Sequence, residues 1–241
     1  MDGGADLRLE AWSRVHALFM LGAFGVALAI GKPWPVALVA MVSLAGLLAH
    51  GRALWATRLR DALPNAVTAL RVALIAGIGF YGHRASGVVL AAVVLAVFAL
   101  DWVDGWLARR TDTSSALGAH FDMEADAFLV LALDLELFTR GQLGAWVLVP
   151  GLLRYSTVLF GAVMAPRAGD MPRSRLGSSA CGILITTLMI AFVWPNMFGA
   201  VCAALGSALV VYSFALSFYG SYLRRDVDEI AARRQRSSLP S

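Results

Sequence analysis

The chain has 241 residues, 59% of them hydrophobic and only 15% charged, with a mean hydropathy of +0.71. Soluble domains carry about 45–50% apolar and about 25% charged residues, so a water-soluble globule is excluded. The formal charge of +4 and pI near 9.5 do not point to nucleic acid. The basic residues sit in short segments between apolar runs, where anionic headgroups and the positive-inside bias account for them. Cys181 and Cys202 lie in apolar stretches without metal-ligand spacing and read as small buried hydrophobes.

In chain order, the apolar runs predict eight helices at roughly 15–31, 36–50, 63–82, 86–108, 117–138, 142–165, 178–195 and 197–222. Short turn-forming links separate them: Lys32-Pro33-Trp34-Pro35, Tyr81-Gly82-His83-Arg84, Arg140-Gly141 and Trp194-Pro195-Asn196. The runs are long and continuous rather than alternating, and helices satisfy their own backbone groups in lipid, so strands are not expected. The first run ends without a small-residue cleavage site and is expected to stay in the protein. The fold class is therefore all-α, a polytopic membrane helix bundle.

Arginines alternate along the chain. Arg8 and Arg14 precede the first helix; Arg52, Arg58 and Arg60 follow the second; Arg109 and Arg110 follow the fourth. Arg167, Arg173 and Arg175 follow the sixth, and Arg224, Arg225, Arg233, Arg234 and Arg236 follow the last. The opposite loops hold only Lys32, Arg84 and Arg140. Both termini are therefore expected in the cytoplasm. Residues 51–62, with Leu54, Trp55 and Leu59 among three arginines, read as a helix lying on the cytoplasmic leaflet.

In the segment 101–126, DWVDGWLARRTDTSSALGAHFDMEAD, Asp101, Asp104, Asp122 and Asp126 lie near the facing ends of two apolar helices. A carboxylate at mid-bilayer costs about 2.5–3.5 kcal/mol even on the lenient insertion scale, and such acids are functional by default. Asp101, Asp104, Gly105 and Ala108 fall at i, i+3, i+4 and i+7, one face of a helix. Gly118, Asp122 and Asp126 fall at i, i+4 and i+8 on the next. Four converging carboxylates suit Mg²⁺ or Mn²⁺ rather than zinc, and two such ions could clamp a pyrophosphate. Arg109, at the cytoplasmic end, is placed to meet phosphate oxygens.

These residues read D-x2-D-G-x2-A-R-x8-G-x3-D-x3-D, and the chain resembles the CDP-alcohol phosphotransferases, which share that pattern. The resemblance covers about residues 61–225, a six-helix catalytic core. It leaves two extra N-terminal transmembrane helices with a juxtamembrane segment (1–60) and a cytoplasmic tail (226–241). It implies a cytoplasm-facing cavity, divalent ions held by the aspartates, release of CMP and a homodimer. Family members often open their first core helix with a P-N-x2-T-x2-R pattern, matched by Pro64, Asn65, Thr68 and Arg71. Asn65, Thr68 and Arg71 are candidate nucleotide ligands, beside Gly105, Ala108, Arg109 and Gly118. Capping by Asn65 and pairing of Arg71 with an aspartate is the plainer alternative.

From spacing and resemblance together, Asp101, Asp104, Asp122 and Asp126 hold the metals, and Asp126 is the expected general base for the acceptor hydroxyl. The expected donor is CDP-diacylglycerol and the acceptor a polar alcohol, among membrane lipids in the inner membrane. A soluble CDP-alcohol reacting with a lipid hydroxyl uses the same motif. Arg154, an isolated arginine in an apolar helix, requires an anionic partner and, with Arg173 and Arg175, is a candidate to bind a phosphate on the acceptor. The sequence departs from the phosphatidylglycerophosphate synthase pattern at Arg175-Leu176-Gly177-Ser178-Ser179, which lacks the usual lysine, and at Ala127, where Lys or Arg is common. His120 reads as a cavity-edge residue, His16 as a helix-end residue without special role, and Asp134 and Glu136 as lying near headgroups. A transporter would show inverted repeats and broken helices, and neither is evident. A silent scaffold would have no use for four aspartates. Every candidate ligand lies at or after Asn65, so the first two helices are expected to supply stability rather than ligands.

Overall fold

Each apolar run of the sequence forms one helix. The computed structural model describes residues 3–51, 59–111, 116–164 and 175–219, with side chains described for 9–47, 66–103, 118, 120–161 and 177–219. The helices are α1 (Gly3–Ile30), α2 (Trp34–Gly51), α3 (Leu59–Tyr81), α4 (Gly87–Thr111), α5 (Ala116–Thr139), α6 (Leu148–Met164), α7 (Arg175–Val193) and α8 (Met197–Phe218). No strand occurs among the described residues. Leu9–Ile30, Ala66–Arg84 and Met197–Phe218 are each long and apolar enough to cross a membrane; shorter apolar helical stretches include Trp34–Leu47, Gly87–Val103, Ala145–Gly161 and Gly177–Val193. The protein is an integral membrane helix bundle.

Local chemistry ends the helices where the sequence changes character. Gly31 and Gly141 adopt positive φ (65° and 69°), a conformation costly for residues with a Cβ. At each, the glycine N–H bonds the carbonyl three residues back, and the next residue's N–H bonds the carbonyl five back, the double bond of a Schellman cap. The N-terminus of α8 is capped by Asn196, whose side-chain oxygen accepts from the N–H groups of Phe198 and Gly199. The sixth helix begins later than its apolar run suggests. Gly144 is extended, residues Ala145–Val147 form a 3₁₀ turn, and Pro150 falls in the first turn of α6, where no intrahelical N–H bond is lost. Of the proposed interfacial segment at 51–62, residues 52–58 lie outside the described residues.

Contacts run α1–α2–α3–α4–α7–α8–α6 and back to α1, a closed ring, with α5 packed inside against α2, α3, α6 and α7. The sequence of α5 explains its place. Phe121, Ala125, Phe128, Leu129, Leu131, Leu133, Leu135 and Leu137 are all buried, and a helix apolar on every side belongs in a core. On α1 the buried residues are Ser13, His16, Ala17, Met20, Ala23 and Ala27, at helical spacing, whereas Val15, Leu18, Phe19 and Val26 face outward. That outer face is suited to lipid.

Asp134 and Glu136 are both fully buried within the bundle. Asp134 accepts a hydrogen bond from the Gly151 N–H at 2.9 Å. Glu136 pairs with Arg140 Nε at 2.9 Å, and Arg140 in turn donates to the carbonyls of Gly82 and Ala85. This clasp joins the end of α5 to the turn between α3 and α4.

The start of α4 lies directly on the end of α7. A Cβ at Gly87 would collide with the Phe192 carbonyl, a backbone group that no rotamer change can move. Gly87→Ala is therefore expected to cost about 1–3 kcal/mol through overpacking. A thermal-shift measurement in detergent checks this against Gly77→Ala, where nothing stands within 4 Å.

Candidate functional site

Arg71 occupies the middle of the acidic constellation. Thr68 and Arg71 lie one turn apart on α3 and are both buried, which aims them at α4 and α5. The guanidinium bonds Asp101 of α4 through Nη1. Through Nη2 it bonds Asp122 Oδ1 at 2.8 Å, Asp126 Oδ1 at 3.1 Å and the Asp122 carbonyl at 3.3 Å. Its side chain is 1% exposed, whereas those of Asp101, Asp122 and Asp126 are 48%, 30% and 40% exposed. One buried cation thus supports three carboxylates that stay open on their other side.

Carboxylate oxygens of Asp101, Asp122 and Asp126 lie within 4.8 Å of one another. Ca²⁺ or Mg²⁺ takes oxygen ligands at about 2.0–2.6 Å, so oxygens on opposite sides of such an ion stand about 4–5 Å apart. An all-oxygen donor set at this spread fits a hard divalent cation. The side chains of Asp104, Gly105, Ala108 and Arg109, and those of Asn65 and Arg175, lie outside the described side chains, and Arg173 lies outside the described residues altogether. Gly118 is part-buried at the start of α5.

A cavity of about 190 Å³ opens between α5, α6, α7 and α8, and Asp126 and Arg154 both line it. Thr157, Ser178, Ser213 and Ser217 add hydroxyls to a wall otherwise formed by groups such as Met123, Val130, Leu184 and Phe214. The anionic partner that Arg154 requires is Glu124, whose Oε1 accepts from Nη2 at 2.7 Å. Glu124 lies about 200° around α5 from Asp122, since each residue turns a helix by roughly 100°. The acidic segment D-M-E-A-D therefore serves two sides of one helix.

Several contributors to this region carried a sequence signal that was not used. His120 is buried rather than at a cavity edge, and its Nε2 lies 3.0 Å from Ser13 Oγ. His16 stands in the middle of a helix that begins earlier than expected, at Gly3, and is buried beside Glu124. Ser13 with His16 (i, i+3) and His120 with Glu124 (i, i+4) are polar pairs on one face of otherwise apolar helices. That periodicity could have marked them as facing each other.

A helical membrane bundle with clustered carboxylates beside a partly polar cavity has the architecture of an integral membrane enzyme. The family model for CDP-alcohol phosphatidyltransferase matches residues 61–219, and the chain belongs to that family of transferases. It is similar to the CDP-diacylglycerol–glycerol-3-phosphate 3-phosphatidyltransferase of Escherichia coli, with 33% identity over 144 residues, covering 56% of this chain and 79% of that protein. The enzyme of the same name from Salmonella typhimurium is 32% identical over the same shares of the two chains. The one from Pseudomonas fluorescens is 29% identical over 118 residues, 48% of this chain and 60% of its own. No solved structure matches the chain.

Removing Arg71 would leave three neighbouring carboxylates without their shared counter-charge. Arg71→Ala is expected to lose about 3 kcal/mol of stability, toward the low end of the cost of unpairing a buried charge because the carboxylates are part exposed. A divalent cation should restore part of that loss by replacing the guanidinium. Thermal denaturation of the variant in EDTA and in Mg²⁺ checks both expectations: the gap between the two conditions should be wider than in the parent protein.

Proposed function

We propose that the protein transfers the phosphatidyl group of CDP-diacylglycerol to glycerol 3-phosphate, releasing CMP, as a step of phospholipid synthesis. The observation that carries this reading is that one cavity is lined by both a motif aspartate, Asp126, and a membrane-embedded arginine, Arg154. The relatives named for this reaction support the choice of donor and acceptor. The D-x2-D-G-x2-A-R segment and the positive-inside distribution of arginines support a site open to the cytoplasm, where a soluble acceptor is available.

Asp101, Asp104, Asp122 and Asp126 would hold Mg²⁺ or Mn²⁺, two ions in the full site. Bound there, the metal supplies charge neutralisation at the pyrophosphate. Asn65, Thr68, Gly105, Ala108, Arg109 and Gly118 form the nucleotide end of the site, and Arg71, sealed behind the aspartates, holds their carboxylates in place. Asp126 accepts the proton of the acceptor hydroxyl. The freed oxygen forms a bond to the phosphorus that carries diacylglycerol, and the pyrophosphate P–O bond breaks, with its electron pair leaving on CMP.

Arg154 binds the acceptor's phosphate, with Arg173 and Arg175 assisting from the cytoplasmic side. Its pairing with Glu124 does not use up its capacity. A guanidinium carries five N–H donors, Glu124 accepts from Nη2, and the Arg154 side chain is 15% exposed and lines the cavity. A contact between charged groups of this kind contributes about 1.5–3 kcal/mol. The mostly apolar remainder of the cavity wall leaves the charged headgroup to be selected by few polar groups.

CMP release from purified protein in lipid vesicles tests the reaction. Release is expected only with CDP-diacylglycerol, glycerol 3-phosphate and a divalent cation together, and full turnover in excess EDTA overturns the metal reading. Asp126→Asn should abolish turnover while retaining most donor affinity. Arg154→Ala should raise the KM for glycerol 3-phosphate by roughly ten- to a hundredfold, the equivalent of the lost contact. If a lipid hydroxyl with a soluble CDP-alcohol is the productive pair instead, the assignment of donor and acceptor is reversed.

A further inference from the structure

The family match begins at residue 61, yet α1 and α2 close the helix ring between α3 and α6. Where they close it, the interior is charged. Glu124 is 2% exposed and faces α1, on the opposite side of α5 from the aspartates. Ser13 Oγ of α1 donates to Glu124 Oε1 at 3.2 Å, the same oxygen that accepts from Arg154 at 2.7 Å. An ionised carboxylate only accepts, so the single hydroxyl proton of Ser13 is committed to Glu124. Ser13 then accepts from His120 Nε2 at 3.0 Å.

A second link runs through His16, also on α1. Its Nε2 is 3.8 Å from Glu124 Oε2, and its Nδ1 lies 2.8 Å from Ser43 Oγ of α2. Trp12 stacks on the His16 ring at 4.8 Å and meets His120 edge-on, while Tyr155 of α6 meets His16 edge-on. Buried polar groups in an apolar bundle are costly unless each finds a partner. Here partners come from α1, α2, α5 and α6, while His16 Nε2, Arg154 Nε and the Tyr155 hydroxyl have no hydrogen-bond partner among the described residues. From this cluster Arg154, whose side chain is 15% exposed, reaches the cavity wall.

We propose that the N-terminal helix pair is a working part of the site: Ser13 fixes the carboxylate of Glu124, His16 packs beside it and ties α1 to Ser43 of α2, and Glu124 fixes Arg154 in the wall of the acceptor cavity. Ser13, His16 and Glu124 are positioning residues, and helices outside the matched family segment set how tightly the acceptor is held. This rests on the reading of Arg154 as the group that binds the acceptor's phosphate. A long arginine side chain has many rotamers, and holding it in one removes an ordering cost that binding would otherwise incur. Loss of one anchor on Glu124 leaves the ion pair in place but loosens it. The effect should fall on acceptor binding and leave the chemistry and the donor site alone.

The test uses the full-length protein in vesicles, with each substrate titrated at saturation of the other. Ser13→Ala is expected to raise the KM for glycerol 3-phosphate about fivefold, with kcat and the donor KM within about twofold of the parent. Ser13→Thr, which keeps the hydroxyl, should restore the parent KM. In an Arg154→Ala background Ser13→Ala should add no further rise, because the route through Arg154 is already cut. His16→Phe keeps the stack on Trp12, removes the link to Ser43, and should act in the same direction as Ser13→Ala. If Arg154→Ala raises the acceptor KM but Ser13→Ala does not, the inference is wrong and the acceptor reading survives. A Ser13→Ala defect that lowers kcat and worsens both KM values alike, or that multiplies with Arg154→Ala, also overturns it, since α1 would then act only through general stability. If Arg154→Ala leaves the acceptor KM unchanged, the phosphate-binding reading fails, and the inference fails with it.

Discussion

Charge inside an apolar bundle has to be neutralised within the bundle, and this requirement organises the structure. Arg71 meets it for Asp101, Asp122 and Asp126 by bridging α3 to α4 and α5 with one guanidinium. Arg154 meets it for Glu124 by bridging α6 to α5. Arg140 meets it for Glu136 at the far end of the same helix. In each case the acid stands on α5 or beside it, and the cation comes from a different helix or a different turn. The ion pairs are therefore also the cross-links of the bundle. Breaking one leaves a charge unpaired in a low-dielectric interior, which costs far more than losing a surface pair.

The same arithmetic explains why α5 is central. It carries Asp122, Glu124, Asp126, Asp134 and Glu136 in an otherwise apolar helix. No lipid-facing position could accommodate five acids, so every face of the helix has to meet protein or a hydrated cavity. A closed ring of the other seven helices supplies those surroundings. Asp134 is the exception among the acids, because its described partner is the Gly151 backbone N–H rather than a cation. Gly151 permits that approach: a Cβ there would stand 2.8 Å from Asp134 Oδ2 and from Leu131 Cα.

Asymmetry of exposure separates support from chemistry. Arg71 is sealed while the carboxylates it holds are one-third to one-half exposed, so the cation acts as a base plate beneath acids that reach an accessible surface. Arg154 shows the reverse. Its acid is sealed and the arginine reaches a cavity wall. One cluster thus offers negative charge to the cavity region and the other offers positive charge, a complementary pair of surfaces.

Composition and run length alone determined that the chain is a membrane helix bundle, because about 20 consecutive apolar residues have few other uses. The spacing of Asp122 and Asp126 was enough to put both on one face of α5, since a helical period fixes which residues share a face; that Asp101 of α4 stands within 4.8 Å of them is a product of helix packing. The turns at Lys32-Pro33-Trp34-Pro35, Arg140-Gly141 and Trp194-Pro195-Asn196 were equally readable, being local. Sequence also showed that Arg154 needed an anion and offered an aspartate as an alternative partner for Arg71. It did not show which acids these were, because an ion pair between helices depends on helix order around the ring, and periodicity carries no information about that order. For the same reason the first two helices looked like an accessory. Only the tertiary structure placed α1 against α5 and α6, turned Ser13 and His16 inward, and made Glu124 the partner of Arg154. Contacts between residues more than a hundred positions apart are decided by packing, and packing is where the sequence of a single helix stops speaking.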